Sequence, residues 1–208
     1  MHSIINPYTE RKLLKYFLMY QDGIFLDIWT NIWKYSILIW NKTNMKIFSF
    51  EPNTFLVDNY LSYNIKLNWL GNRISLLNIW LWNIASEQNL YIQDNSFWEA
   101  SLHWDEEIIE WKKKFKVKIE RLDSIYKTNG INPSEVRLIK IDVEWFEYNV
   151  FLWAKEFFSE ITECILIVEI IEKTINKNDT IDLIKSLWFI LLEKVYGDNY
   201  IFYKWLKK

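Results

Sequence analysis

Short apolar runs alternate with segments of helical spacing along most of this chain, and that alternation sets the expected elements. Residues 1–22 hold an amphipathic helix with Leu13, Leu14, Phe17 and Leu18 on one side. Residues 24–28 read as a buried strand, with a helix from about Asn31. Residues 46–50 form a second strand, and Pro52 suits the first turn of the helix after it. In that helix Val57, Tyr60, Leu61, Asn64 and Ile65 follow the spacing of one helical face. Further strands are expected at 73–79, 136–143 and 164–170. Phe146, Val150, Ala154 and Phe157 stripe a helix between the last two. Asp179 or Thr180 can cap a helix carrying Ile181, Ile184 and Leu187. Residues 189–195 and 199–203 flank Tyr196-Gly197-Asp198 as a hairpin.

Strands alternating with helices predict an α/β protein. Its sheet is mostly parallel and seven-stranded, with helices on both faces and an antiparallel C-terminal hairpin. The 208 residues suit a single domain, 1–22 as the N-terminal helix and 23–208 as the core. Residues 92–131 are the least regular. Phe115, Val117 and Ile119 alternate there with Lys116, Lys118 and Glu120 as a half-buried strand, and loops over the sheet's carboxyl edge are expected for the rest.

Bulk properties narrow the partners. Half the residues are hydrophobic, as in a packed globular protein. A net charge of −2 and a pI near 5.8 give no reason to expect a nucleic acid. Lys112-Lys113-Lys114 and Lys207-Lys208 read as solvated faces. The single cysteine, Cys164, suits a buried strand thiol. With only His2 and His103, no metal site is expected. No apolar stretch reaches the ~18 residues of a membrane helix, and no leader pattern precedes the charges at Glu10, Arg11, Lys12 and Lys15. A cytoplasmic protein with no membrane partner is the expectation.

One anomaly changes the picture. The chain has 13 tryptophans and 4 glycines, whereas glycine alone usually makes up about 7% of residues. Trp29, Trp33, Trp145 and Trp153 fall at expected strand ends and helix starts. Trp40, Trp69, Trp111 and Trp188 fall at apparent helix ends or turns. Several such places favour a residue without a Cβ. A UGA codon read as glycine in the source and translated here as tryptophan would leave this pattern, and the richness in Ile, Asn and Lys fits AT-rich coding.

Ligands of open α/β sheets bind outside the carboxyl ends of the strands, so the chemistry is sought there. The first strand runs into Asp27-Ile28-Trp29-Thr30-Asn31-Ile32-Trp33-Lys34-Tyr35-Ser36. The second ends at Phe50-Glu51-Pro52-Asn53. Glu51 follows Asp27 at about the 20-residue interval of ribose-binding carboxylates in related folds. The fourth strand ends in Ile139-Lys140-Ile141-Asp142-Val143-Glu144-Trp145-Phe146-Glu147. With glycine at 29 and 33 the first segment becomes D-I-G-T-N-I-G-K-Y-S. With glycine at 145 the third matches K-I-D-V-E-G-x-E. In both, the chain resembles class I S-adenosylmethionine-dependent methyltransferases of the FkbM type over roughly residues 22–203. Leu122-Asp123 resembles the family's L-D element, and the stretch 77–83 stands where the family contacts adenine.

The resemblance implies a Rossmann-like methyltransferase fold and S-adenosylmethionine as cofactor. It implies that Asp27, Asn31 and the backbone at Trp29 and Trp33 hold the cofactor, with Glu51 on its ribose. Asp142, Glu144 and Glu147 are the implied catalytic carboxylates, one of them a general base or a holder of the acceptor. Glu169, ending the fifth strand, can face the substrate or satisfy a buried network. The expected activity is O-methylation of a small molecule or glycan. Two alternatives stand beside it. A non-catalytic or decayed domain is favoured if the indoles are real. A nicotinamide-dependent oxidoreductase is disfavoured because G-x-G-x-x-G is missing.

Overall fold

All five residues of the first strand are buried, as in a parallel strand covered on both faces. The computed structural model describes residues 7–93, 96–101, 112–143, 146–171, 176–195 and 198–205. Its strands are β1 (Ile24–Ile28), β2 (Lys46–Phe50), β3 (Ile74–Leu77), β4 (Ile79–Leu81), β5 (Ser86–Gln93), β6 (Ser96–Ser101), β7 (Lys112–Glu120), β8 (Val136–Ile141), β9 (Glu163–Glu169), β10 (Ile190–Val195) and β11 (Asn199–Trp205). Its helices are α1 (Pro7–Phe17), α2 (Lys34–Lys42), α3 (Thr54–Leu56), α4 (Ser62–Leu67), α5 (Leu122–Thr128), α6 (Glu147–Leu152), α7 (Lys155–Glu160) and α8 (Lys177–Ser186).

The main sheet has seven strands in the order β10-β11-β9-β8-β1-β2-β3. β1 pairs in parallel with both β2 and β8, and β8 with β9. β11 runs antiparallel to both neighbours, closing the hairpin foreseen from sequence. The pleat sends alternate side chains to opposite faces. Ile24, Leu26 and Ile28 of β1 join one buried cluster, with Ile139, Ile141, Leu166 and Val168. Phe25 joins the other, with Leu138, Ile165 and Ile167. β10 alternates between exposed and half-covered positions, as an edge strand does. Cys164 is buried and free.

Several expectations are corrected. The helix expected from Asn31 begins at Lys34, because the intervening backbone takes left-handed turns. Pro52 precedes the helix and Asn53 caps it, its side chain accepting from the N–H groups of Phe55 and Leu56. A π-helical turn over Val57–Leu61 breaks the regular stripe, so Val57 and Leu61 are buried while Tyr60 is exposed. The strand expected at 73–79 divides at Asn78 into β3 and β4, which belong to different sheets. The helix striped by Phe146, Val150, Ala154 and Phe157 divides into α6 and α7 around Trp153 and Ala154. α8 starts beyond Asn176, and the Thr180 hydroxyl donates back to the Asn176 carbonyl instead of capping.

The largest correction concerns residues 92–131. The half-buried strand expected there around Phe115, Val117 and Ile119 is part of β7, but in place of loops over the sheet's edge the described residues add β6 and the end of β5, which with β7 and β4 build a second sheet in the order β4-β7-β5-β6. Its members straddle the region's boundary, since β4 lies before it and β5 runs across it to Gln93. The Trp82 N–H donates to the Glu120 carbonyl, and the Thr54 hydroxyl reaches the Lys116 carbonyl. The first bond extends the β4–β7 pairing, and the second ties the small sheet to the start of α3, just past β2.

The Leu122-Asp123 element also has a structural task. Asp123 accepts from the N–H of Phe157 at 2.8 Å and of Glu156 at 3.4 Å, capping α7 from a distant part of the chain. Replacing it (Asp123→Ala) leaves those N–H groups unpaired and should lower unfolding free energy by about 1 kcal/mol, read from urea denaturation.

Candidate active site

The chain order reverses beside β1, since β2 and β3 lie to one side and β8 and β9 to the other. That is the switch point at which an open α/β sheet receives its ligand. Three carboxylates meet this edge: Asp27 near the end of β1, Glu51 just past β2 and Asp142 just past β8.

Asp27 is buried. Its Oδ2 accepts from the Thr30 hydroxyl at 2.7 Å and the Ser36 hydroxyl at 2.6 Å. Ser36 in turn lies 2.8 Å from the Ser49 hydroxyl on β2. The other oxygen, Oδ1, is buried and has no partner. Burial pushes this carboxyl above its ordinary value, against the pull of Lys140 and the two hydroxyls. Asn31 carries a second buried, unpartnered acceptor, its Oδ1. Two open acceptors at the loop after β1 suit a ligand bearing a cation or several N–H donors.

Glu51 braces the same loop from the neighbouring strand. Its Oε2 accepts from the Asn31 N–H and its Oε1 from the Asn53 N–H, each at 2.8 Å. The expectation that Asn31 opens the helix fails, because it lies in the turn before it at φ 49°. Burial pushes the Glu51 carboxyl up to about 7, partly offset by those two backbone donors. Asn78 supports the segment by donating to the carbonyls of Glu51 and Pro52.

Asp142 sits opposite Glu169, one step beyond the last paired residues Ile141 and Val168 of β8 and β9. Burial pushes the Asp142 carboxyl up. The Lys140 ammonium, 2.7 Å from its Oδ2, and a hydrogen bond shared with Glu169 outweigh that and hold it below the usual range. Lys140 is itself buried beside Asp27 in the strand register. Its amine is held protonated although burial alone would lower it, because Asp142, Tyr35 and Asp27 surround it. Glu147 is buried at the start of α6. Glu144 and Trp145 lie outside the described residues.

Thr30, Ser36, Ser49 and Lys140 were given no role from sequence. Thr30, Ser36 and Lys140 fall inside the quoted motifs. Ser49 had one available signal, a lone hydroxyl inside the apolar run of β2.

The sequence profile of the Methyltransferase FkbM domain matches residues 19–196. The chain belongs to the FkbM methyltransferase family. No curated protein matches it in sequence. Among solved structures, Precorrin-6y C5,15-methyltransferase from Geobacter metallireducens GS-15 is similar at a TM-score of 0.53 and 10% identity, over 100% of this chain and 92% of that one. Methyltransferase FkbM from Methylobacillus flagellatus KT gives 0.52 and 12%, over 88% of this chain and 44% of that one. A Clostridium thermocellum protein provisionally named an rRNA methylase gives 0.54 and 9%, over 96% and 97%. At such identities the likeness is one of fold, a Rossmann-like methyltransferase core.

For this FkbM chain the cofactor implied by the family is S-adenosylmethionine. The unpaired Oδ1 atoms of Asp27 and Asn31 suit its ammonium end, while both oxygens of Glu51 are taken by the N–H groups of Asn31 and Asn53. The two indoles of the loop do not fit. Trp29 packs edge-on against Trp80 with centroids 4.6 Å apart. Trp80 and Trp82 in turn contact Phe146. Four aromatic rings therefore occupy the space in front of the loop. Trp33 is fully buried and its Nε1–H has no partner. As written, the chain does not accommodate the cofactor. Among the described residues no cluster of acids, His and Cys stands in metal-holding positions, and no helix is long and apolar enough to cross a membrane.

The raised Glu51 carboxyl makes a pH prediction. Its contribution to stability is fully present below its ordinary value of 4.5 and is lost as pH rises through about 7. The stability of the ligand-free protein should therefore fall between pH ~4.5 and about 7. Glu51→Gln should flatten that fall, as read by denaturant titration at each pH.

Proposed function

We propose that this protein, with glycine in place of the indoles at positions 29 and 33, transfers the methyl group of S-adenosylmethionine to a hydroxyl of a small molecule or sugar. The observation that carries the reading is the pairing of Asp142 with Lys140 at the switch point, 2.7 Å apart. As the cofactor's S–CH3 bond breaks, leaving the thioether, and the O–CH3 bond forms, the acceptor's proton becomes acidic and a carboxylate kept ionised at that edge can take it. The cofactor supplies the methyl group; the chain supplies position and a place for the proton. Asp27 and Asn31 are assigned to the cofactor's amino-acid end, Glu51 to its ribose. Asp142 is assigned as the base, with Glu147 at the start of α6 as a further carboxylate and Glu144 as a candidate from its motif alone. Lys140 and Glu169 are positioning residues, setting the orientation and charge of Asp142.

A second reading is favoured by one observation, the indoles crowding the loop. A chain that truly carries them keeps the fold as a non-catalytic binding domain, and exposed aromatics would serve such a role.

Calorimetry separates the two. A chain carrying W29G and W33G should bind S-adenosylmethionine saturably; absence of binding overturns the enzymatic reading. The same protein should methylate members of a panel of sugars and small hydroxyl compounds. Methylation of ribosomal or transfer RNA in the parallel arm, with none of the panel, would replace the acceptor class. Asp142→Asn should slow transfer by about 10²–10⁴-fold with little change in cofactor affinity.

A further inference from the structure

Among the described residues, six that are not glycine have a left-handed backbone: Trp29, Asn31, Trp33, Trp69, Trp188 and Asp198. Asn and Asp tolerate this region because their short polar side chains can bond locally. For a bulky residue it is a strained outlier. All four of the bulky cases are tryptophan, at φ 66°, 70°, 56° and 70° for Trp29, Trp33, Trp69 and Trp188.

Two of the four lie well away from the candidate site, and the chain contains its own control for them. α5 ends with Asn129 as its cap and then Gly130 at φ 66°. The Ile131 N–H bonds back to the Tyr126 carbonyl, which is the left-handed helix termination that glycine favours. α4 ends with Asn68 and then Trp69, whose N–H bonds to the Lys66 carbonyl. α8 ends with Leu187 and then Trp188, whose N–H bonds to the Lys185 carbonyl. Both bonds are the ones this termination makes from the position after the cap. Three helices thus stop in one way, one with glycine and two with tryptophan. Neither indole repays the strain by packing, since Trp69 is 87% and Trp188 is 72% exposed.

The other two bracket the turn leaving β1. Trp33 precedes α2 and caps nothing with its side chain. Its buried Nε1–H is unpaired, a cost that no glycine would incur. We infer that positions 29, 33, 69 and 188 are glycine in the native polypeptide, and that tryptophan stands there because a codon read as glycine in the source has been translated as tryptophan. The same replacement follows wherever that codon recurs in the gene, and the low glycine count is its second consequence. At 29 and 33 this rests in part on the methyltransferase reading; at 69 and 188 it rests on backbone geometry alone.

Peptide mass mapping of the protein isolated from its source cells tests the inference. Peptides spanning the four positions should each be lighter by the tryptophan–glycine difference; tryptophan at any of them overturns it. Variants of the chain as written give a second test. W69G and W188G should each raise the melting temperature by about 2–4 °C. W205G, in the extended strand β11, should give no such gain. A fall in melting temperature at 69 and 188 overturns the inference. If the native peptides carry glycine and the W29G, W33G chain still fails to bind S-adenosylmethionine, the inference stands and the proposed cofactor falls.

Discussion

The turn that carries the chain from β1 to α2 constrains everything around it. Within five residues the backbone turns left-handed at Trp29, Asn31 and Trp33. It is held in that shape by a carboxylate from each of two adjacent strands. Asp27 grips Thr30 and Ser36 from below, and Glu51 takes the Asn31 N–H from the side. The turn brings backbone and two buried, unpaired acceptor atoms to the sheet's carboxyl edge. It also burdens the protein with buried carboxyl groups whose charge the interior disfavours.

Lys140 answers part of that burden. It is a buried cation between the Asp27 side of the site and the Asp142 side, and it offsets charge on both. The ends of β1 and β8 are thereby coupled through one ammonium group. Removing a partner from a buried ion pair strands the other charge, so such a site resists piecemeal change. The hydroxyls of Ser36 and Ser49 continue the network to β2 without adding charge.

The four aromatic rings before the loop and the four strained tryptophans have one physical root. A tight left-handed turn and a close ligand approach both call for a missing side chain. With indoles there, the side chains must go somewhere. At Trp29 the ring joins Trp80 in the cleft. At Trp69 and Trp188 the rings stand in solvent. The fold tolerates each because backbone strain of this kind costs only about 1–3 kcal/mol per site, less than the cooperative core supplies.

Local pattern alone determined the central strands, the hairpin and the motifs at the ends of β1, β2 and β8. Buried parallel strands are continuous apolar runs, and ligand-edge residues directly follow them, so both are written in neighbouring positions. Asp27, Glu51 and Asp142 were legible for that reason. Tertiary structure alone decided the second sheet, the split at Asn78 and the π-helical turn at Val57–Leu61, because pairing partners far apart in the chain leave little local trace. It also decided what the recognised residues touch. That Asp123 caps α7, that Lys140 pairs with Asp142 beside a buried Asp27 and that Trp69 and Trp188 sit in glycine's backbone region are facts of three-dimensional neighbourhood and dihedral angle, which a string of side chains does not contain.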